Sequence, residues 1–186
     1  MQALELLHNR VSSPKLVAPA PNPQQLEAMY QAAARAPDHA NLRPWRLLIL
    51  EGEQLTKLGQ VFAEVSLAKN PALNEAQLQK MASKPLRAPM GIAVVAGITD
   101  HPKGPEREQW MTAGCAAQAL TQAAFAQGFG AMWRSGSLMF DAQVHKKMKL
   151  ADNEKLVGFL YLGSTAKFRS APQANSADFV SQAQID

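Results

Sequence analysis

Apolar residues recur at two spacings along this chain, and the switches between them predict its elements. Leu4, Leu6 and Leu7 with polar residues between them predict a short amphipathic helix over residues 2–9. The segment that follows, NRVSSPKLVAPAPNP, contains four prolines and two serines without aliphatic periodicity and reads as a loop. Asn22 can cap a helix whose first residue is Pro23, with Leu26, Met29, Tyr30 and Ala33 at helical spacing until Pro37 forbids continuation. WRLLILEG, residues 45–52, is an aliphatic run closed by glycine and predicts a buried strand. Residues 54–83 are patterned as helix, with KNPALNEAQ as a break in which Pro71 starts a second helix. APMGIAVVAGIT, residues 88–99, is the second strand by its β-branched content. A long helix, uncharged from Gln109 onward, is predicted over 107–127, and GFGAMWRSG turns out of it into a third strand. DAQVHKKMKL reads as an exposed helix and KLVGFLYLG, residues 155–163, as the fourth strand.

Strands separated by helices are compatible with a parallel βαβ sheet, but two helices precede any strand and two more separate the first strand from the second. This order favours an α+β fold with a central sheet flanked by helices. The length of 186 residues suits one domain, 1–186, in which the polar stretch 164–186 is a tail that needs something to tie it down.

Composition narrows the function classes. A net charge of +4 is mild, and only 6% of residues are aromatic, with no run of aromatics interleaved with lysine, so no nucleic-acid partner is expected. The basic cluster His145, Lys146, Lys147 and Lys149 reads as a solvated helix face. The uncharged stretch Gln109–Trp133 is too rich in glutamine, threonine, glycine and alanine for a lipid-facing span, so no membrane partner is expected either. A single cysteine and the absence of a basic, apolar leader point to the cytoplasm.

No conventional catalyst stands out. Cys115 sits in an Ala/Gly helix without a basic neighbour and reads as an inert core thiol, and the four histidines show no metal-ligand spacing. The Gly128-x-Gly130 pair follows a helix and opens a strand, with tryptophan at position 133, so the dinucleotide-binding reading fails on context. Its glycines can instead let backbone approach a flat ligand or simply pack. Arg10, Ser12 and Ser13 form a cationic, hydroxyl-bearing loop suited to a phosphate, with Lys15 close behind, although a surface loop is equally compatible. Arg35 and His39 flank Pro37 near Asn41, where they can grip a polar heterocycle or cap a helix end. Such a chain would take its chemistry from a cofactor.

Taken together and in order, ALELLHNRVSS, ARAPDHANLRPW, RAPMGIAVVA, EQWMTAGCAAQALTQAAFAQGFGAMWRSG and KLVGFLYLG resemble the FMN-dependent nitroreductases, in particular their small YdjA-like branch. The resemblance covers nearly the whole chain. It implies a sandwich with a central, mainly antiparallel sheet, and an interlocked homodimer in which residues 164–186 of one subunit reach across the other. It implies FMN at the subunit interface, NAD(P)H as co-substrate and a small aromatic electron acceptor, a nitroaromatic or a quinone, in a ping-pong cycle. A flavin store, sensor or flavin-modifying protein of the same fold is the alternative. By position, Arg10, Val11 and Ser12 match the N-terminal flavin-binding motif. Arg35 and His39 match a loop serving the partner's FMN, and Ala131, Met132 and Trp133 match the backbone along the isoalloxazine. Thr121, Gln122, Ala123, Ala124, Phe125 and Ala126 match a stretch assigned to nicotinamide nucleotide, or else pack at the dimer interface. Val11 departs from the arginine that relatives often carry there, and Lys167 or Arg169 is the expected basic residue after the last strand.

Overall fold

A computed structural model of the chain describes residues 2–185. Its centre is a four-stranded, fully antiparallel sheet in the order β1-β2-β4-β3, built from β1 (Trp45–Glu51), β2 (Met90–Gly97), β3 (Gly130–Arg134) and β4 (Glu154–Gly163). The helices are α1 (Ala3–Asn9), α2 (Pro23–Ala33), α3 (Glu53–Lys69), α4 (Glu75–Ala82), α5 (Glu106–Ala126) and α6 (Ala142–Lys147). The result is the expected α+β sandwich.

Strand alternation explains why both sheet faces are covered. On β2, Ile92 and Val94 face a core shared with Met29 and Ala33 of α2 and with Ala116, Ala117, Leu120 and Ala124 of α5. Ala93 and Val95 face the opposite core, with Leu55, Leu58, Phe62 and Val65 of α3 and Val144 of α6. Two buried faces account for the nearly uninterrupted apolar run of β2. On β4, Phe159 and Tyr161 join the α3 side, whereas Leu160 and Leu162 join the α5 side. A register shift between Val94 and Val95, opposite Gly158 and Leu156, inserts Val157 as an extra residue and returns Leu156 to the α3 side.

Three local expectations are corrected. The second helix of the 54–83 region starts at Glu75 rather than at Pro71. Asn74 accepts the Gln77 N–H, and the Gln77 side chain accepts the Asn74 N–H, both at 2.9 Å, a reciprocal cap that outcompetes the proline start. The helix over 142–147 is not wholly exposed, because Val144 is fully buried against α3. Cys115 is exposed rather than a core thiol. Ala113, Ala116, Ala117, Leu120 and Ala124 occupy the core-facing stripe of α5 at helical spacing, which turns residue 115 outward.

The two chain ends meet beside the sheet. Val17 and Ser164 form an antiparallel bridge, with Val17 N–H to Ser164 O at 3.0 Å and the reverse bond at 2.8 Å. Phe168 then packs edge-on against Phe125 at 4.7 Å between ring centres. Farther along, Phe179, Val180 and Ile185 are exposed. Among the described residues, no helix is long and apolar enough to cross a membrane.

The Arg46–Glu154 pair joins the start of β1 to the start of β4 across β2. The hydrogen bond from Arg46 holds the Glu154 carboxyl at about 2 instead of its usual 4.5. A carboxylate stabilised in the folded state contributes stability at neutral pH that is lost as pH falls from about 4.5 through about 2. Glu154→Gln is therefore expected to lower Tm at pH 7, with the gap to wild type closing across that acid window in a series of thermal melts.

Candidate functional site

The candidate site is assembled along the outer edge of β3, which pairs only with β4. The Ser13 N–H donates to the Ala131 carbonyl at 2.9 Å, so the polar groups of Ala131 point away from β4. Strand alternation directs the N–H and C=O of Trp133 the same way. The glycines ahead of this strand have identifiable tasks. Gly128 lies at φ +82° and ends α5, while a methyl group at position 130 would stand 2.6 Å from Leu16 and 2.9 Å from the Ser13 β-carbon. Close packing of the Ser13–Leu16 loop on the strand start thus requires glycine at 130. The Trp133 indole packs closely on Gly158, where a methyl group would sit 2.1 Å from the indole nitrogen.

At the strand's beginning, Arg10, Val11 and Ser12 line a cavity of about 440 Å³ with His8 and with Arg169, Ser170, Ala171 and Pro172 of the tail. Arg10 closes α1, its N–H donating to Leu6 O, and Val11 is buried as an anchor. Two guanidiniums and two serine hydroxyls share this cavity with no carboxylate in its lining, the donor set a phosphate needs. Of the two basic residues expected after β4, Arg169 lines it; Lys167 lines a neighbouring cavity with Ser13 and Lys15.

At the strand's end lies a feature that sequence reasoning missed. Lys84, Arg87 and Arg134 converge on a cavity of about 250 Å³, walled by Phe62, Phe159, Tyr161, Leu138 and Met139 and by the backbone turn at Ser135–Ser137. No carboxylate lines it. Burial, with repulsion from Arg134, pushes the Arg87 guanidinium down, and burial with repulsion from Arg87 and Lys80 pushes Lys84 down. Burial raises Tyr161, whose ring lies 5.6 Å below the Arg87 guanidinium carbon. The Arg134 Nε is buried without a hydrogen-bond partner. An uncompensated cationic, aromatic-walled cavity of this kind suits the polar edge of a flat, electron-rich or anionic group. Asp141, two residues after the lining residue Met139, caps α6 by accepting the Gln143 and Val144 N–H groups at 2.8 and 3.3 Å and pairs with Lys69.

The other expected residues lie elsewhere in the chain. Arg35 lines a polar cavity with Asp38, Asn41 and Arg43 and also an apolar groove with Leu6, Ala32, Cys115, Gln122 and Ala123. His39 pairs with Glu108 at 2.6 Å. Arg35 and Arg10 line different cavities. Within 121–126, Thr121, Ala124 and Phe125 are buried, and the Thr121 hydroxyl donates to Gln118 O at 2.7 Å. Gln122 and Ala123 face the groove and Ala126 is exposed. Among the described residues, no three His, Cys, Asp or Glu side chains gather as a metal site.

With this geometry in hand, comparison with known proteins gives a family. Residues 7–164 match the model of the Nitroreductase family. The chain belongs to the nitroreductase family. It is 40% identical over 178 residues to the Escherichia coli K12 protein named "Putative NAD(P)H nitroreductase YdjA", covering 96% of both chains. Its fold superposes on a nitroreductase-like family protein from Bacillus cereus with a TM-score of 0.83 at 20% identity, over 99% of this chain and 97% of that one. A nitroreductase-fold protein from Desulfovibrio desulfuricans, solved in complex with FMN, superposes with a TM-score of 0.74 at 17% identity, over 98% and 97%. These likenesses establish for this nitroreductase-family protein the fold that its strand order already displays.

The orphaned Arg134 nitrogen yields a direct test. Leaving a buried guanidinium nitrogen without a partner costs stability, so Arg134→Met is expected to raise the Tm of the ligand-free protein by about 2–4 °C, equivalent to roughly 1 kcal/mol. Differential scanning fluorimetry checks this, and the same variant should lose the stabilisation that added ligand confers on wild type.

Proposed function

We propose that this protein is an FMN-dependent NAD(P)H nitroreductase working as a homodimer. The observation that carries the reading is the outer edge of β3, with a phosphate-type donor set at its beginning and a cationic, aromatic-walled cavity at its end. Family membership and an FMN-bound fold relative support the same cofactor.

The residues present fit FMN. Arg10, Ser12 and Arg169 would hold its phosphate, with Arg169 supplying charge where Val11 supplies none. The outward polar groups of Trp133 would belong to the backbone along the ring, with Met132 leading to them from Ala131, whose carbonyl is taken by Ser13. Lys84, Arg87 and Arg134 would meet the polar edge, and the unpartnered Arg134 nitrogen is the donor left for it. When bound, FMN supplies the redox chemistry, passing a hydride equivalent from NAD(P)H to a nitroaromatic or quinone-like acceptor in separate half-reactions. The three cations stabilise negative charge at the polar edge electrostatically, so the chain needs no side-chain acid or base. Phe62, Phe159 and Tyr161 exclude water there and strengthen the interaction.

The dimer reading has its own support. Arg35 lines cavities other than the one Arg10 lines, and His39 turns to Glu108, as residues serving a partner's flavin would. The apolar groove beside Arg35 and the exposed Phe179, Val180 and Ile185 leave surface for a second copy to cover. In this arrangement residues 164–186 form the arm of a single-domain subunit. Gln122, Ala123 and Ala126 are the members of the 121–126 stretch with surface to offer a nicotinamide nucleotide or a partner helix.

Purified protein should be yellow, or become yellow with added FMN, and NADH or NADPH should bleach it anaerobically. A colourless protein that FMN cannot load would overturn the reading, and a flavoprotein that neither nucleotide bleaches would favour the store or sensor alternative. Double-reciprocal plots against nucleotide and acceptor should be parallel; intersecting lines would remove the ping-pong order. Arg10→Ala should weaken FMN binding about 10- to 100-fold, the loss of one charge-assisted contact.

A further inference from the structure

We propose that Glu108 is a positioning residue: it fixes the ring orientation and tautomer of His39 and, with Thr112, clamps the strained loop 37–43 onto α5. The loop holds Ala40, Asn41 and Arg43 at φ +63°, +55° and +49°, a left-handed conformation that non-glycine residues rarely adopt even once. Three such residues within four positions persist only where surrounding groups impose them, and such strain gathers at ligand sites.

The restraints are specific. Asp38 accepts the Leu42 and Arg43 N–H groups at 3.2 and 2.6 Å, closing the loop on itself. Two bonds then tie it to α5. The Thr112 hydroxyl donates to Pro37 O at 2.9 Å, and one helical turn earlier the Glu108 carboxylate takes the His39 Nδ1 at 2.6 Å. Residues four apart lie on one helix face, so α5 presents both anchors together.

A carboxylate only accepts, so the proton of this bond is on Nδ1. His39 is thereby left with Nε2 as its outward group, and the partner of one ring nitrogen decides what the other offers a ligand. The pair is 58% and 40% exposed, and ion pairs that exposed add little to global stability. The function of Glu108 is thus geometric. What His39 faces across the dimer rests on the flavin reading above, whereas the clamp itself belongs to the single chain.

The experiment compares wild type, Glu108→Gln and Glu108→Leu. Glutamine keeps a carbonyl acceptor for Nδ1, and leucine removes it. Nitrogen-15 spectra of the histidine rings in ligand-free protein should show the Nδ1-protonated form of His39 in wild type and Glu108→Gln, and its loss in Glu108→Leu with Tm unchanged. FMN titration by fluorescence should show about tenfold weaker binding for Glu108→Leu, as expected if the competent loop falls to about a tenth of the population, with Glu108→Gln close to wild type. A His39 ring protonated on Nε2 in wild type, or unchanged in Glu108→Leu, overturns the proposal, as does unchanged FMN affinity in Glu108→Leu. Wild type that binds no FMN at all defeats the flavin reading, and the ring spectra then decide the clamp alone.

Discussion

The hydrogen bond from Ser13 to Ala131 is the contact around which the site is organised. An edge strand leaves every second residue's N–H and C=O without a partner, a liability unless something covers them. Here the N-terminal loop takes the first position of the β3 edge and stops, kept there by the close fit of Ser13 and Leu16 over Gly130. The position two residues later, Trp133, keeps its backbone available beside a cavity with cationic walls. The same bond places Arg10 and Ser12 at the strand's beginning, and the Val17–Ser164 bridge carries Arg169 to them from the far end of the chain.

Electrostatics and packing pull against each other along this edge. Lys84 and Arg87 both lose basicity to burial and to like charge, and Arg134 buries a donor unpaired. A fold gains nothing from such an arrangement by itself, since half-buried like charges repel and a buried donor without a partner forfeits its hydrogen bond to water. The sheet absorbs the cost because its two cores are continuous above and below β2 and β4. Under the proposed flavin reading, stability lost at the cavity is regained when an electron-rich group fills it.

Much of this was legible in the chain. The four strands, the Asn22–Pro23 helix start and the long α5 follow directly from periodicity, caps and breakers, and the family resemblance implies that the Arg10 loop and the Ala131–Trp133 stretch both meet the flavin, but not that they are bonded to each other. What escaped notice depends on convergence in space. Lys84 and Arg87 lie in a short turn before β2 and Arg134 at the end of β3; local spacing relates the first two but gives no sign of the third. His39 and Glu108 are 69 residues apart and meet only because α2 packs on α5. Cys115 was misjudged because an alanine-rich helix offers little contrast between its faces, so the buried stripe shows only once the helix is docked. The helix start at Glu75 is hidden in the sequence because a proline start at Pro71 and an asparagine cap at Asn74 compete three residues apart, and the reciprocal Asn74–Gln77 bonds prevail.

The central claim is that a single ligand spans the β3 edge from the Arg10 loop to the Arg134 cavity. Amide hydrogen exchange of the protein with and without FMN tests it most directly. The account predicts slowed exchange in 8–13, 130–137 and 167–171 together, with little change in α3 beyond Phe62. Protection confined to one end of the strand, or absent from 130–137 while FMN is bound, would contradict it.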